Sequence, residues 1–445
     1  MNISTTKIIR CILFLIMFKG IVKAQNRNLQ YFRYNDKRGI NVFENSKNDT
    51  TIFNGARVKI GGNFTQDFQA LKHQNNATPI YNLTGANTNK LISISNGFNL
   101  AAANLTVDAQ LEDGIRMNVT MYLSSRHHDE TWVKGGYIQI DKLLFLKSAF
   151  VDSIMKNFTI KVGDYEVDYG DQHYRRTDGG NATYNPFIEN YIMDEFATEI
   201  GTEIYYHPKN GFIAMVGITN GQLNPTVVAA TKIDSATGKL NYYAPAFHGK
   251  IGYDKQCNNN LRVRITGSVY AIKTGSNNTL FFGDRTGSHY FMVMENTTAS
   301  TSANAWSGRY NPFYSQQVTT FMFNPFIKYK GLELFGTYEM AQGRMITERK
   351  LRTTTQYAAD LIYRFPRSRE NFWIGARYNT LTAAMPFGAG NVTINRMAAS
   401  AGWFVTKNIM LKAEYVAQEY QKFAATDIRA GGKFNGYMIE AVVGF

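Results

Sequence analysis

Segments in which every second residue is apolar recur along this chain, with turn residues between them. The clearest pair runs from Leu105 to Leu123, LTVDAQLEDGIRMNVTMYL. Its apolar residues share one face of each strand, and Asp113-Gly114 is a typical hairpin turn. Strands of roughly ten residues with one apolar face are the pattern of a barrel that crosses a membrane. This feature therefore predicts an all-β fold, a transmembrane antiparallel β-barrel.

Sixteen such segments can be assigned, an even number, as expected for a barrel made from one chain. Their predicted bounds are 55–72, 93–111, 115–125, 131–141, 157–169, 196–206, 211–221, 242–254, 261–272, 317–330, 332–343, 352–364, 371–381, 392–404, 409–420 and 431–445. Most short turns fall at one end of the predicted barrel and most long connections at the other. The exception is 142–156, whose helical periodicity predicts a short amphipathic helix beneath the short-turn end. A barrel of sixteen strands leaves an aqueous channel.

The two ends of the chain predict export and membrane insertion. A basic start, the apolar run 11–18 and the small-residue site Val22-Lys23-Ala24 are typical of a secretory signal peptide. The last nine residues alternate in polarity up to Phe445, as expected of a closing strand that the barrel assembly machinery recognises. We therefore predict a signal peptide over 1–24, a short periplasmic segment over 25–54 and a barrel over 55–445, in the outer membrane of a Gram-negative cell.

Composition excludes several other classes of protein. The formal net charge is +14, but no basic cluster or recognition helix accompanies it, so no nucleic-acid partner is predicted. The chain has no second long apolar segment, so no membrane-spanning helix is predicted. One cysteine, Cys257, follows the signal peptide, which rules out an internal disulfide bond in the mature chain. The predicted partners are outer-membrane lipid and small hydrophilic solutes.

Charged residues at alternate strand positions are predicted to line the lumen. Acidic residues concentrate in the fifth and sixth strands: Asp164, Glu166, Asp168, Glu199 and Glu203. The inward basic residues include Lys161, Lys250, Arg262, Arg264, Arg377 and Arg396. In a closed barrel the acidic strands face the strands of Arg377 and Arg396. This predicts a transverse field that favours small hydrated solutes; the alternative is that the charges pair with their neighbours.

The inward placement of Asp164, Glu166 and Asp168 depends on a change of parity within the fifth strand. Ile160 and Val162 would face lipid in its first half, and Tyr165, Val167 and Tyr169 in its second half. A β-bulge near Gly163 would reconcile the two halves.

The connection between the fifth and sixth strands, 170–196, is long and rich in aromatic and charged residues. Arg175 and Arg176 belong to it, and its aromatic side chains suit packing against an inner wall. We predict that it folds inward and forms the constriction of the pore. The alternative is a lid on the surface or a contact between subunits.

No pattern of catalytic, cofactor-binding or metal-binding residues emerges. The nearest candidate is His127-His128-Asp129-Glu130, but adjacent histidines in a loop point apart and lack supporting residues. No nucleophile elbow or phosphate-binding glycine loop is present in the sequence. We therefore predict no enzymatic activity, no cofactor and no metal.

Four segments resemble known outer-membrane porins of the Bacteroidota, a group distantly similar to the phosphate-selective porin O and P family. They are YFRYNDKRGINVFE (31–44), KVGDYEVDYGDQHYRRTDGGNATYNPFIENY (161–191), NPFIKYKGLELFGTYE (324–339) and NRMAASAGWFVTKNIMLKAEYVAQEYQKF (395–423). The resemblance implies a sixteen-stranded, homotrimeric, water-filled channel for passive diffusion of small hydrophilic solutes or ions. The alternatives are a selective anion or phosphate channel, and a surface-exposed interaction barrel that acts as an adhesin or as a subunit of a complex.

Overall fold

The computed structural model describes residues 28–124, 131–177, 180–224, 226–275 and 277–445. Sixteen antiparallel strands form one closed barrel, in which consecutive strands pair and β1 pairs with β16. The strands are β1 (Arg57–Gln74), β2 (Gly97–Glu112), β3 (Ile115–Ser124), β4 (Thr131–Ile140), β5 (Phe158–Glu166), β6 (Thr198–Tyr206), β7 (Phe212–Thr219), β8 (Ala246–Gln256), β9 (Leu261–Ile272), β10 (Gln317–Tyr329), β11 (Leu332–Arg344), β12 (Arg352–Phe365), β13 (Phe372–Ala384), β14 (Asn391–Phe404), β15 (Ile409–Gln421) and β16 (Lys433–Gly444). The predicted barrel is confirmed, and each strand ends within four residues of its predicted bounds.

The outer surface of the barrel is apolar. Each of the sixteen strands exposes at least one large hydrophobic side chain. In β16, Tyr437 and Ile439 are exposed, whereas Met438 and Glu440 between and beside them are buried. Because closure leaves no unpaired strand edge, this outer surface can face lipid over the whole circumference. The barrel therefore spans a membrane.

One end of the barrel carries the short turns and is called the turn end here; the opposite end is the loop end. At the turn end, Phe365, Phe372 and Trp403 stack on the outside with ring centroids 5.8 and 5.9 Å apart, as in an aromatic girdle. The connection between β4 and β5 forms the predicted helix, α1 (Ala149–Met155), whose first turn is capped by the Ser148 side chain. Among the described residues, no helix has the length and apolar character that crossing a membrane requires.

The predicted parity change in β5 is wrong. β5 pairs with β4 and with β6 in continuous register, so no bulge lies near Gly163. Within this regular pairing Gly163 adopts a φ of +139°, a conformation that favours glycine. Tyr165, Val167 and Tyr169, predicted to face lipid, are buried inside the barrel because the chain leaves the wall after β5 and turns inward.

Three segments enter the barrel and build its core there. They are the inner loop (167–197, between β5 and β6), the second loop (273–316, between β9 and β10) and the N-terminal segment (28–54). The largest core cluster joins residues of the first two, such as Ile192 and Val293, to inward residues of the wall, such as Val416. Two of the predicted features, the signal peptide over 1–24 and His127-His128-Asp129-Glu130, lie outside the described residues.

Candidate functional site

The inner loop crosses the barrel from one wall to the other. It leaves β5, and the hydroxyl of Tyr169 already lies 2.5 Å from Thr320 Oγ1 and 3.1 Å from Glu339 Oε1, on β10 and β11. Further along, Phe187 and Tyr191 are completely buried. The loop 170–196 therefore lies inside the barrel. Its role as the constriction of a pore stays a prediction.

Side chains of β12 to β15 satisfy the backbone of the inner loop. Ile192 N donates to Asn379 Oδ1 at 2.7 Å, and Met193 N donates to Gln356 Oε1 at 2.8 Å. On β15, Glu414 Oε2 accepts from Ile188 N at 2.8 Å. A buried loop is stable only if its backbone polar groups find such partners. The wall is thus built to hold this loop in one position.

Arg377 and Arg396, predicted to face the lumen, lie beneath the inner loop and bind it. Arg377 forms two hydrogen bonds with Asp360 on β12, of 2.7 and 2.8 Å, and donates to Glu189 O at 2.7 Å. Arg396 donates to Asn190 O at 2.6 Å and to Gly308 O at 2.9 Å, so it joins the inner loop to the second loop. The Arg377 guanidinium is therefore paired with a carboxylate on the neighbouring strand.

The predicted acidic residues of β6 are also paired. Glu203 is fully buried, lies 3.3 Å from Lys161 Nζ and accepts from His248 Nε2 at 2.9 Å and from Asp168 N at 2.9 Å. Glu199 accepts from Tyr270 OH at 2.7 Å. Asp168, at the start of the inner loop, binds Lys250 and lies 2.7 Å from His173 Nε2.

A basic cluster on β8 and β9 binds both the inner loop and the N-terminal segment. Arg264 pairs with Asp171 at 2.7 Å and with Glu44 at 2.6 Å. Lys250 lies 3.3 Å from Asp171. Arg262 pairs with Asp254 at 2.6 Å and donates to Asn41 O at 2.8 Å. These cations join β8 and β9 to the inner loop and to the N-terminal segment, and their role in lining a pore stays a prediction.

Arg175 and Arg176 of the inner loop point into the packed interior. Arg175 lies over the Phe335 ring, 4.5 Å from its centroid, and its three guanidinium nitrogens have no hydrogen-bond partner among the described residues. Arg176 donates to Asp194 at 2.6 Å and lies over Phe196. Both side chains are almost completely buried.

The N-terminal segment covers the interior at the turn end. Phe43 packs against Tyr174 and Phe326, with ring centroids 5.7 and 5.5 Å away. Asn41 Nδ2 donates to Glu333 Oε1 on β11 at 2.6 Å. Lys37 N donates at 2.9 Å to Lys407 O, in the turn between β14 and β15. The segment thus contacts strands around much of the barrel's circumference.

The second loop reaches the seam where β1 and β16 close the barrel. His289 Nδ1 lies 2.5 Å from Asp67 Oδ2 on β1 and 3.2 Å from Glu440 Oε2 on β16. Lys412 pairs with the same Glu440. Burial opposes protonation of His289, but the two carboxylates raise its pKa from 6.5 to about 10. The second loop is therefore fixed to the seam by a charged imidazolium.

Open space persists along one wall, beside β3 to β6. Three adjoining cavities lie there, named the outer, middle and inner cavity, with volumes of about 350, 220 and 190 Å³. The outer cavity lies among the loops, beside Trp132 and Trp306, and the inner cavity lies beside His207 at the turn end. Lys134, Asp164 and Thr198 line both the outer and the middle cavity. The middle and inner cavities share Arg33, Tyr137, Lys161, His173 and Tyr174.

We call these three cavities the conduit. Of the predicted site residues, Asp164 and Glu166 line it. Glu199 contacts Thr219 of β7 and Tyr270 of β9. The others belong to the contacts that hold the loops and the N-terminal segment: Asp168, Arg175, Arg176, Glu203, Lys250, Arg262, Arg264, Arg377 and Arg396. Sequence reasoning missed Arg33, Lys134 and His173 as lining residues. Lys134 lies where the register between β3 and β4 shifts, and Arg33 lies outside the strands, so alternation along a strand pointed to neither.

No protein-family model matches the chain, and no curated protein is detectably similar to it. Solved structures similar to it include OmpT, an outer membrane protein of Vibrio cholerae, at 10% sequence identity and a TM-score of 0.49, covering 88% of this chain and 99% of that one. The outer membrane channel DcaP of Acinetobacter baumannii is 11% identical, with a TM-score of 0.48 and coverage of 88% and 98%. The anion-selective porin from Comamonas acidovorans is 9% identical, with a TM-score of 0.47 and coverage of 88% and 100%.

Proposed function

We propose that the protein is an outer-membrane porin through which small hydrophilic solutes or ions diffuse passively, and that the conduit is their path. The observation that carries this proposal is that the three cavities adjoin one another, since neighbouring cavities share lining residues from the loop end to the turn end. The rest of the barrel interior is filled by the inner loop, the second loop and the N-terminal segment. Diffusion would therefore follow one wall instead of the barrel axis.

The chemistry of the conduit suits hydrated solutes. Its middle part is lined by amide and hydroxyl side chains, such as Asn118, Thr120 and Asn181, and by charged groups. Such groups replace part of a solute's hydration shell and so lower the cost of entering a narrow space. A water molecule takes up about 30 Å³ in the liquid, so the cavities correspond to roughly six to twelve waters each. The conduit would accordingly pass only small solutes.

The outer membrane is the location that this fold supports best. A closed barrel with an apolar outer surface and stacked aromatic rings near one rim is the arrangement that barrels of that membrane use. The homotrimer stays a prediction of the family resemblance, and recognition by the assembly machinery stays a prediction from the terminal strand. Cross-linking of the protein in native membranes would count the subunits.

The experiment that tests the function combines channel recording with cysteine modification. Cys257 lies exposed in a turn, so Cys257→Ser first gives a background free of thiols in the mature chain. Thr120→Cys then places a thiol in the middle cavity, and Ser400→Cys places one at an inward but buried position of β14. Each protein is reconstituted in a planar bilayer, and a charged methanethiosulfonate reagent is added.

We expect stable ohmic conductance from all three proteins, and a lasting fall in current after modification of Thr120→Cys alone. Absence of any conductance would refute the proposed function and leave the interaction-barrel alternative. An equal fall in current after modification of Ser400→Cys would show that the solutes pass through the centre of the barrel instead of the conduit. The reversal potential in a salt gradient, measured on the same channels, decides between a general pore and a selective anion channel.

A further inference from the structure

Most charged groups of the middle cavity already have a partner of opposite charge. Lys134 pairs with Asp284, and Lys161 pairs with Glu203 at 3.3 Å. Glu166 lies 3.8 Å from both His173 and Arg176. These groups contribute polarity to the cavity but little net charge. Two other lining residues differ from them.

Asp164 is the first. Its Oδ1 is buried and has no hydrogen-bond partner among the described residues. The carboxyl carbon lies 3.9 Å from the point that a Cβ on Gly135 would occupy, and both residues line the middle cavity. None of the ion pairs among the described residues includes Asp164. It lies at the junction of the outer and middle cavities.

Arg33 is the second. Its Nε and Nη2 both donate to Gly39 O, at 3.1 and 3.0 Å, and Nη2 also donates to Tyr174 O at 2.9 Å. The guanidinium carbon lies 3.8 Å from the centroid of the Tyr184 ring. None of the described hydrogen bonds uses Nη1, and no ion pair in the described part of the chain includes this residue. Arg33 lies at the junction of the middle and inner cavities.

A carboxylate and a guanidinium that form no direct ion pair thus lie at the two junctions of one small chamber, although Glu44 and Glu166 line the same space as Arg33. Partly buried charges of this kind are costly unless a partner of opposite charge is present. A neutral solute supplies no such partner, and a simple ion supplies one. A zwitterion supplies both, in a region where the surrounding protein weakens screening by water.

We propose that the middle cavity is a binding site for zwitterionic solutes of the size of a free α-amino acid. The ammonium group would bind Asp164, and the carboxylate would accept a charge-assisted hydrogen bond from Nη1 of Arg33. Asn118, Thr120 and Asn181 would supply hydrogen bonds to the remaining polar atoms. This inference rests on the proposed function, since it assigns a preferred solute class to the same conduit.

Liposome swelling tests the preference directly. Proteoliposomes holding the full-length mature protein are diluted into isosmotic L-glutamine or into xylitol, a neutral polyol with the same number of heavy atoms. We expect glutamine to enter about fivefold faster than xylitol, as a modest gain in binding would give. Glutamine should also reduce the potassium chloride current in a saturable manner, since an occupied site blocks the conduit.

Three variants test whether Asp164 and Arg33 cause the preference for glutamine over xylitol. Asp164→Asn should bring the glutamine rate down towards that of xylitol and leave the xylitol rate unchanged. Arg33→Lys, which keeps the charge, should retain most of the preference. Asp152→Asn is the matched control, because this carboxylate of α1 also has an oxygen without a hydrogen-bond partner but lies away from the conduit. It should behave as the unaltered protein does.

The possible failures are distinguishable. Equal entry of the two solutes, or an unchanged ratio in Asp164→Asn, would overturn the zwitterion site while leaving the porin function intact. An equal fall of both rates in Asp164→Asn would assign this residue a structural role and would also overturn the site. A protein that passes neither solute and conducts no ions would refute the proposed function itself.

Discussion

Arg264 of β9 holds Asp171 of the inner loop through two hydrogen bonds, 2.7 Å from Nε and 2.8 Å from Nη2. Both side chains are buried. Burial alone would favour the protonated carboxyl, but Arg264 and Lys250 lower the pKa of Asp171 to about 2. The bridge is therefore charged throughout the neutral and mildly acidic range. It fixes the start of the inner loop to β9, while β12 to β15 hold the later part of the loop.

Replacing this arginine should open the barrel. In Arg264→Met, Asp171 and Glu44 lose the arginine that they share and keep only Lys250, 3.3 and 3.6 Å away. Removing one partner from a buried ion cluster costs about 3–5 kcal/mol. We expect the inner loop and the N-terminal segment to loosen, which would raise the single-channel conductance and its noise in planar bilayers. Arg349→Met is the control, because Arg349 is exposed. If Arg264→Met conducts as the unaltered protein does, the bridge does not hold the loop.

The bond between His289 and the barrel seam predicts a pH dependence of stability. The folded pKa of about 10 exceeds the ordinary value of 6.5. A raised pKa stabilises the folded state fully below pH 6.5, and the contribution is lost as pH rises through about 10. His289→Gln should therefore lower the free energy of unfolding by about 3–5 kcal/mol at pH 6, as expected when one member of a buried charge cluster is removed.

The measurement is urea unfolding of the reconstituted barrel, followed by tryptophan fluorescence, for both proteins between pH 6 and pH 10.5. Lysine and tyrosine titration affects both proteins in the upper part of this range, so the quantity of interest is their difference. That difference should shrink as pH approaches 10. A constant difference would show that His289 stabilises the seam through packing alone.

Sequence reasoning was sufficient for the barrel because the pattern that specifies it is local. Tyr437 and Ile439 face outward for the same reason as their counterparts in every other strand, namely contact with lipid. The rule failed in β5, where apolar residues such as Tyr165 face inward. Those residues cover a loop that fills the lumen, and inward polarity can be assumed only where the lumen holds water.

The partners of the inward charges could not be predicted, because they are distant in sequence. Arg264 and Asp171 are 93 residues apart, and Arg264 and Glu44 are 220 residues apart. An arginine on the inner face of a barrel has the same sequence pattern whether it faces water or a buried carboxylate. Arg33 was missed for a related reason, since the N-terminal segment has no strand periodicity that would indicate a position in the conduit.

Removal of the N-terminal segment tests its role as a cover. Deleting residues 28–54 removes Phe43 from its contacts with Tyr174 and Phe326, and removes Arg33 from the conduit. The strands should still close, because the pairing of β1 with β2 and β16 involves none of these residues. We expect a larger conductance in planar bilayers. Deletion of 226–240 in a loop at the other end serves as the control, and equal conductance of the two deletions would argue against a cover.

The lipid-facing surface provides a prediction that is independent of the conduit. Met397 lies in the middle of β14, is 64% exposed and pairs with the exposed Tyr378 of β13. An arginine at this depth would place a charge in the hydrocarbon region, which costs about 2–4 kcal/mol in a membrane barrel. We therefore expect Met397→Arg to lower the folded fraction in lipid vesicles, measured by the shift in electrophoretic mobility between unheated and heated samples. Met397→Leu keeps the apolar surface and should fold as the unaltered protein does. Equal folding of the two variants would mean that this part of β14 does not lie against the hydrocarbon core.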